Sequence, residues 1–253
     1  MTYNYSSPGN LKAALQTSMP IRLSSIPLGI HLILWWLFYA MMIIRVEFFG
    51  YHAAEASLAY WSWLWLAAVM TAMINHIVMF KREFGYHVIM SVPRQAFTGY
   101  YVQVMVHFCI LSSLLILLDL QVLRFLNHAY GFQEVDFLSV VYGSLTDHWI
   151  NQFLIVFSIL MLFSTLGAFI GSSTYRFGTG FIWGFWSSVG LGFSILVAVS
   201  EGLGFREEII RGLLWFSGAG PEGSALSGSG HFLLISAALT AITYRNIKRM
   251  QLK

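Results

Sequence analysis

Three histidines, His31, His76 and His107, fall inside long apolar stretches of the chain. Paired imidazoles on facing helices can ligate haem iron. However, His31 and His76 lie near one end of their stretches, and His107 is about two turns into its own, where water or backbone can satisfy all three. Asp119 is an acid inside the apolar stretch Tyr100–Leu120. At mid-membrane it would suit a proton relay, but its place toward the end of the run suits an interface. Asp147-His148 offers two metal ligands, fewer than a closed site needs. Cys109 is the single cysteine and lies in an apolar run, which excludes an intrachain disulfide and predicts a small core residue. A P-loop requires a glycine-rich turn followed by Lys and Ser/Thr. No Gly-Lys-Ser/Thr occurs, and the Gly/Ser stretch 220–230 contains no lysine. The chain is therefore not expected to be an enzyme or to bind a cofactor itself.

These residues must be positioned by helices in lipid. Of 253 residues, 57% are hydrophobic, 17% aromatic and only 10% charged, with mean hydropathy +0.69. A soluble domain carries about 25% charged residues, so this chain cannot coat a surface of its size for water. An apolar run of about 20 residues crosses the hydrocarbon core as a helix. Six stretches qualify: Pro27–Phe49, Ala59–Phe80, Tyr100–Leu120, Trp149–Ser172, Thr179–Ser200 and Gly230–Tyr244, the last short and extensible at either end. The expected fold is all-α: residues 1–26 a cytoplasmic interface segment with no cleavable signal peptide, 27–244 a six-span bundle, 245–253 a basic tail.

Charge sets the orientation. Lys12, Arg22, Lys81, Arg82, Arg94, Arg176, Arg245, Lys248, Arg249 and Lys253 all fall on one face of a six-span plan, where Glu83 is the lone acid. Glu47, Glu55, Glu134, Asp136, Asp147, Glu201, Glu207, Glu208 and Glu222 fall on the other. Cationic connectors stay in the cytoplasm; both termini are expected there, in a multi-pass cell-membrane protein. The net charge of +3 reports orientation, not nucleic-acid binding. Trp61, Trp63, Trp65, Tyr100, Tyr101 and Trp149 suit the headgroup layer.

Several connecting segments carry more than turns. Asn10–Leu23 is expected to form a helix on the inner membrane surface, capped by Asn10, with Leu11, Ala14 and Leu15 on one face. In the connector Phe80–Gly99, Phe84, His87, Val88 and Met90 could form a short amphipathic helix, and Pro93 should start or break a helical segment. In the outer segment Glu201–Ser229, Gly204–Phe216 is amphipathic, with Glu207 four residues before Arg211 at ion-pair spacing; Ser217–Gly230 reads as a flexible Gly/Ser return. The connector Gln121–His148 is of similar length and mixed character.

Two of these segments carry a family resemblance. Glu83-Phe84 followed by Ser91-Val92-Pro93-Arg94 resembles the connector of small bacterial ABC-2-type transporter permeases, whose Gly-Val-Ser/Thr-Arg variant it departs from at Pro93. Leu166–Gly171 followed by Tyr175-Arg176-Phe177-Gly178 looks like that family's glycine-rich fourth-span end and cytoplasmic turn. The motifs cover about 30 residues; the six-span plan covers the chain. The resemblance implies a type V exporter fold. Residues 1–26 would supply the interface helix. The loop with Lys81, Arg82, Glu83, Phe84, Val92, Pro93, Arg94 and Phe97 would be a coupling helix seated on a separate ATPase subunit. Tyr175 and Arg176 would form a second cytoplasmic loop. The segment before the sixth span would be a re-entrant helical hairpin. A second permease copy or a sibling would complete a path, ATP and Mg would sit on the partner, and the cargo would be peptides, antimicrobials or other amphipathic compounds, phenol-soluble modulin-like peptides among them. Trp183 and Trp186 are candidates to line the path. Gly167, Gly171, Gly184, Gly190 and Gly192 would allow close helix approach.

Three rival readings remain open. One is a secondary transporter driven by protons or ions. Another is a haem-binding cytochrome. The third is an intramembrane protease, suggested by Glu207-Glu208 before Arg211-Gly212; that motif needs one more residue before the arginine and later histidines, of which only His231 is present.

Overall fold

The computed structural model describes residue 37 and residues 68–85, 93–130, 148–202, 204–219 and 224–250. The expected interface helix Asn10–Leu23, the first span apart from the helical Leu37, and Trp61, Trp63 and Trp65 lie outside them. The described chain is helical: α1 at 68–85, α2 at Arg94–Tyr130, α3 at Trp149–Phe177, α4 at Gly180–Gly202, α5 at Arg206–Ser217 and α6 at Ala225–Arg249. Four of these, α2, α3, α4 and α6, contain segments long and apolar enough to cross a membrane. The chain is accordingly an α-helical membrane protein.

Backbone polar groups have no water to turn to inside a bilayer, so the spans are continuous helices. Several of their hydroxyls are satisfied on the same helix: Ser113 donates to the Cys109 carbonyl at 2.6 Å, Thr165 to Met161 at 2.9 Å and Ser236 to Phe232 at 2.8 Å. Helix ends fall where local chemistry puts them. Pro93 precedes α2, and its carbonyl accepts from Phe97 N–H at 3.0 Å. Gly178 (φ 88°) ends α3, its N–H bonding Thr174 O at 2.8 Å. Ser224 caps α6, its hydroxyl oxygen accepting from Ser227 N–H at 3.0 Å.

Three boundaries differ from expectation. The connector expected from Phe80 is helical to Gly85, so Phe84 sits on the last described turn of α1; residues 86–92, with His87, Val88, Met90 and Val92, lie outside the described residues. The connector expected from Gln121 is helical to Tyr130. The last span runs Ala225–Arg249, absorbing half of the expected Gly/Ser return and most of the expected basic tail. Each change lengthens a helix, because backbone hydrogen bonding continues past the apolar run until a glycine, proline or cap interrupts it.

Helices α1, α2, α3 and α6 pack together. Buried Ala72, Phe108, Cys109, Ile116, Leu120, Ile155, Val156, Leu160 and Ala225 form one cluster, and Phe80, Phe84, Phe97, Tyr101, Val104, Ala168 and Ile247 a second. Helix α1 runs parallel to α3 at very close range. A Cβ on Gly167 would press on the Met73 carbonyl, and one on Gly171 would lie 3.0 Å from Phe80 Cβ and 3.1 Å from Ile77 O. Gly184, Gly190 and Gly192, expected to serve the same purpose, have nothing within 4 Å of a Cβ position. Helix α4 instead leans on α3 through Phe181 and Phe185, whose rings lie 5.8 and 6.2 Å from Phe169, and none of its apolar span window is buried.

The amphipathic segment before α6 does fold, as α5. Its expected Glu207–Arg211 ion pair does not form; the two acids of its first turn, Glu207 and Glu208, instead complement the positive end of the helix dipole. Gly218 (φ 76°, left-handed) ends it, with Ala219 N–H reaching back to Leu214 O at 2.8 Å. The turn then presses Gly218 and Ser217 against Gly228 so tightly that a Cβ on Gly228 would meet the Ser217 carbonyl. His231 completes the join: its ring lies 4.9 Å from Phe216 in a stack, and its Nδ1–H donates to Phe216 O at 2.8 Å. Gly228→Ala is expected to unseat α5 at a cost of about 2 kcal/mol. Limited proteolysis between α5 and α6, compared with the parent protein, measures it.

Candidate functional site

The ends of α1, α2, α3 and α6 converge in a closed ring. Phe84 of α1 meets Phe97 of α2 edge-on at 5.3 Å and Tyr175 of α3 at 5.0 Å. Arg176 of α3 donates from Nη1 to Asn246 Oδ1 of α6 at 2.9 Å, and Asn246 Nδ2 donates to Ser173 Oγ at 3.1 Å. Arg94 at the start of α2 donates from Nη1 to the Lys248 carbonyl of α6 at 2.8 Å. Inside the ring the aromatic rings interlock: Phe80 stacks on Phe84 at 5.5 Å and meets Tyr101 edge-on at 5.6 Å, and Tyr101 donates its hydroxyl to the His76 carbonyl at 2.9 Å.

This ring carries Lys81, Arg82, Arg94, Arg176, Arg245, Lys248 and Arg249, against Glu83 as its lone acid among the described residues. Seven of the ten cations assigned from the sequence to one face therefore meet in space, and Lys12, Arg22 and Lys253 lie outside the described residues. Their roles differ. Arg94 and Arg176 are spent on tying helix ends together, and Arg176 also lies 4.6 Å above the Phe177 ring. Lys81, Arg82, Arg245, Lys248 and Arg249 are exposed, and their side chains make no hydrogen bond or ion pair with another described residue.

The residues expected to form a docking loop divide the same way. Phe84, Phe97 and Glu83 are 3, 1 and 1% exposed and belong to the interior. Lys81, Arg82 and Pro93 are open, Arg94 partly so. Trp183 and Trp186, candidates to line a path, stand on the open surface of α4 at 76 and 43% exposure. Sequence reasoning missed Asn246, which bridges α3 and α6. Its signal is helical phase: Thr243 at the end of the expected span and Asn246, Ile247 and Met250 of the expected tail are buried on one side of the helix. Asn246→Leu leaves Arg176 and Ser173 without this partner, and is expected to lower stability by about 1–3 kcal/mol. Gln95→Ala, which removes only an exposed 3.4 Å contact to Tyr244, is expected to stay within about 0.5 kcal/mol. Thermal unfolding of the two purified variants separates them.

The other chemical candidates are dispersed. His76 is buried, hydrogen-bonded through Nδ1 to Ala72 O at 2.7 Å and edge-on to Phe108 at 5.3 Å. His107 bonds Gln103 O on the exposed face of α2, so these two do not converge, and His31 lies outside the described residues. Among the described residues no three His, Cys, Asp or Glu groups approach a metal-binding arrangement. Asp119 is buried, with neither carboxyl oxygen hydrogen-bonded. Glu207 and Glu208 are exposed on α5, and His231 is engaged with Phe216. Cys109 is buried and reduced, its Sγ 3.3 Å from Ser164 Oγ. No protein-family model, no curated protein and no solved structure matches the chain.

Proposed function

We propose that the chain is the permease subunit of an ATP-binding cassette transporter of the ABC-2 type, with six spans, that exports peptides or other amphipathic compounds and is energised by a separate ATPase. The observation that carries this reading is the ring of helix ends. Lys81 and Arg82 are exposed on the last turn of α1, while Phe80 and Phe84 of the same turns are locked among Phe97, Tyr101 and Tyr175. A partner that grips the outside of this turn moves a rigid plug joined to α2 and α3, rather than a loose loop. Packed interiors transmit displacement because they are close-packed and resist compression. By the cationic-inside rule this end faces the cytoplasm, where ATP is available. The open tryptophan-bearing face of α4 suits a path completed by a second permease.

Affinity purification in mild detergent tests the reading. An ATPase subunit with one nucleotide-binding domain should co-purify, and Lys81→Glu with Arg82→Glu should weaken its retention while leaving the permease folded. Absence of any ATPase, or unchanged retention by the double variant, sinks it. A second reading, a proton- or ion-driven transporter, draws on the buried Asp119 carboxyl; it predicts uptake or efflux that needs an ion gradient, no ATPase, and loss of transport in Asp119→Asn.

A further inference from the structure

We infer that the exposed face of α6 is a binding seam for one anionic phospholipid of the leaflet at the cationic end. Leu234, Ile235, Ala238 and Ile242 are exposed along this helix, Leu234 by 70%, Ile235 by 38% and Ile242 by 46%. Ile235, Ala238, Ile242, Arg245 and Arg249 follow one another at steps of three or four residues, so they lie on one helical stripe. The stripe is apolar up to Ile242 and cationic from Arg245 onward, with exposed Lys248 beside it. From Ile235 to Arg245 the helix rises about 15 Å, which is about half of the roughly 30 Å hydrocarbon core. An acyl chain laid along the apolar stretch therefore brings its phosphate to the level of Arg245, Lys248 and Arg249.

Three features favour a lipid over a soluble acidic protein. The apolar and cationic parts are continuous on a single face, whereas a soluble partner would meet only the cations. The charged groups of Arg245, Lys248 and Arg249 make no hydrogen bond or ion pair with another described residue. The one acid at this end, Glu83, is 1% exposed and on α1, so no described carboxylate competes for them. Basic groups at the membrane surface attract anionic headgroups by about 1 kcal/mol each, and the Arg94–Lys248 bond holds the end of α6 in place for them.

The test uses the purified full chain in non-ionic detergent, titrated with phosphatidylglycerol or phosphatidylcholine of the same acyl composition, with thermal unfolding as the readout. Phosphatidylglycerol should raise Tm well beyond phosphatidylcholine, and salt at about 0.5 M, which screens exposed charges within a few ångströms, should shrink the difference. Arg245→Gln/Lys248→Gln/Arg249→Gln should weaken the phosphatidylglycerol response roughly a hundredfold in concentration, with lipid-free Tm unchanged. Ile242→Gln should weaken both lipids. Equal responses to the two lipids, or an undiminished response in the triple variant, overturn the inference. So does an equal response to water-soluble glycerol phosphate, which would mark a simple anion site. If the triple variant loses a co-purifying acidic protein but keeps its lipid response, the face is a protein interface instead.

Discussion

Gly167→Leu is expected to prevent α1 and α3 from meeting, with a stability loss of about 3 kcal/mol or more. The reason is what an added side chain would strike. Its first carbon would already crowd the Met73 carbonyl, with the Met73 carbonyl carbon and Cα at 3.1 Å, and these are backbone atoms that cannot rotate away. The same helix holds Gly171 within 3.3 Å of Ile77 Cα by the same measure, so the two glycines, one turn apart, form the close seam. In lipid such seams rest on van der Waals fit, because apolar burial alone gains little against acyl chains. Gly184→Ala in α4 provides the contrast. Nothing lies within 4 Å of its Cβ position, and alanine favours a helix over glycine by about 0.5–1 kcal/mol. Thermal unfolding of the two variants in one detergent should move in opposite directions. Equal effects would mean that α1 and α3 do not approach as described.

The second large effect belongs to Phe97→Ala, which should cost about 3–5 kcal/mol and loosen the ring of helix ends. Phe97 is 1% exposed and touches three aromatic rings, Phe84 at 5.3 Å, Tyr101 at 5.7 Å and Phe80 at 5.9 Å. Truncation leaves a cavity on which all three lean. Cys109 offers an internal gauge, since it is the lone thiol and is fully buried on α2. Maleimide labelling of Cys109 should accelerate in Phe97→Ala and stay slow in Lys81→Gln/Arg82→Gln, whose exposed side chains contribute within about 0.5 kcal/mol each. The contrast also guides tests of partner binding: loss of a partner in Phe97→Ala would report a collapsed ring, whereas loss in the Lys81/Arg82 pair reports the surface itself.

Much of the bundle was legible from local pattern. Long apolar runs can be satisfied in a bilayer only as helices, which is why the stretches from Tyr100, Trp149, Thr179 and Gly230 all appear inside observed helices, apart from Thr179 itself in the turn before α4. The amphipathic stretch before the last span was legible for the same kind of reason. Its period matches a helix, and Gly218 can take the left-handed conformation that ends one. Positions of the helix ends were less so. Hydropathy marks where lipid begins, whereas a helix ends where a cap, a glycine or a proline interrupts hydrogen bonding, as at Gly178 and Ser224.

The sequence by itself determined that this is a helical membrane protein and that most of its described cations gather toward one end, because hydropathy and charge placement are properties of the chain in order. Only the tertiary structure decided which members of a pattern do which job. Gly167 and Gly171 make the close approach while Gly184, Gly190 and Gly192 do not; Phe84 and Phe97 turn inward while Lys81 and Arg82 stay out; Asn246 becomes a bridge. These outcomes depend on which helix face meets which neighbour. That is fixed by contacts between residues such as Met73 and Gly167, or Ser173 and Asn246, that lie far apart in the chain and leave no periodic trace in it.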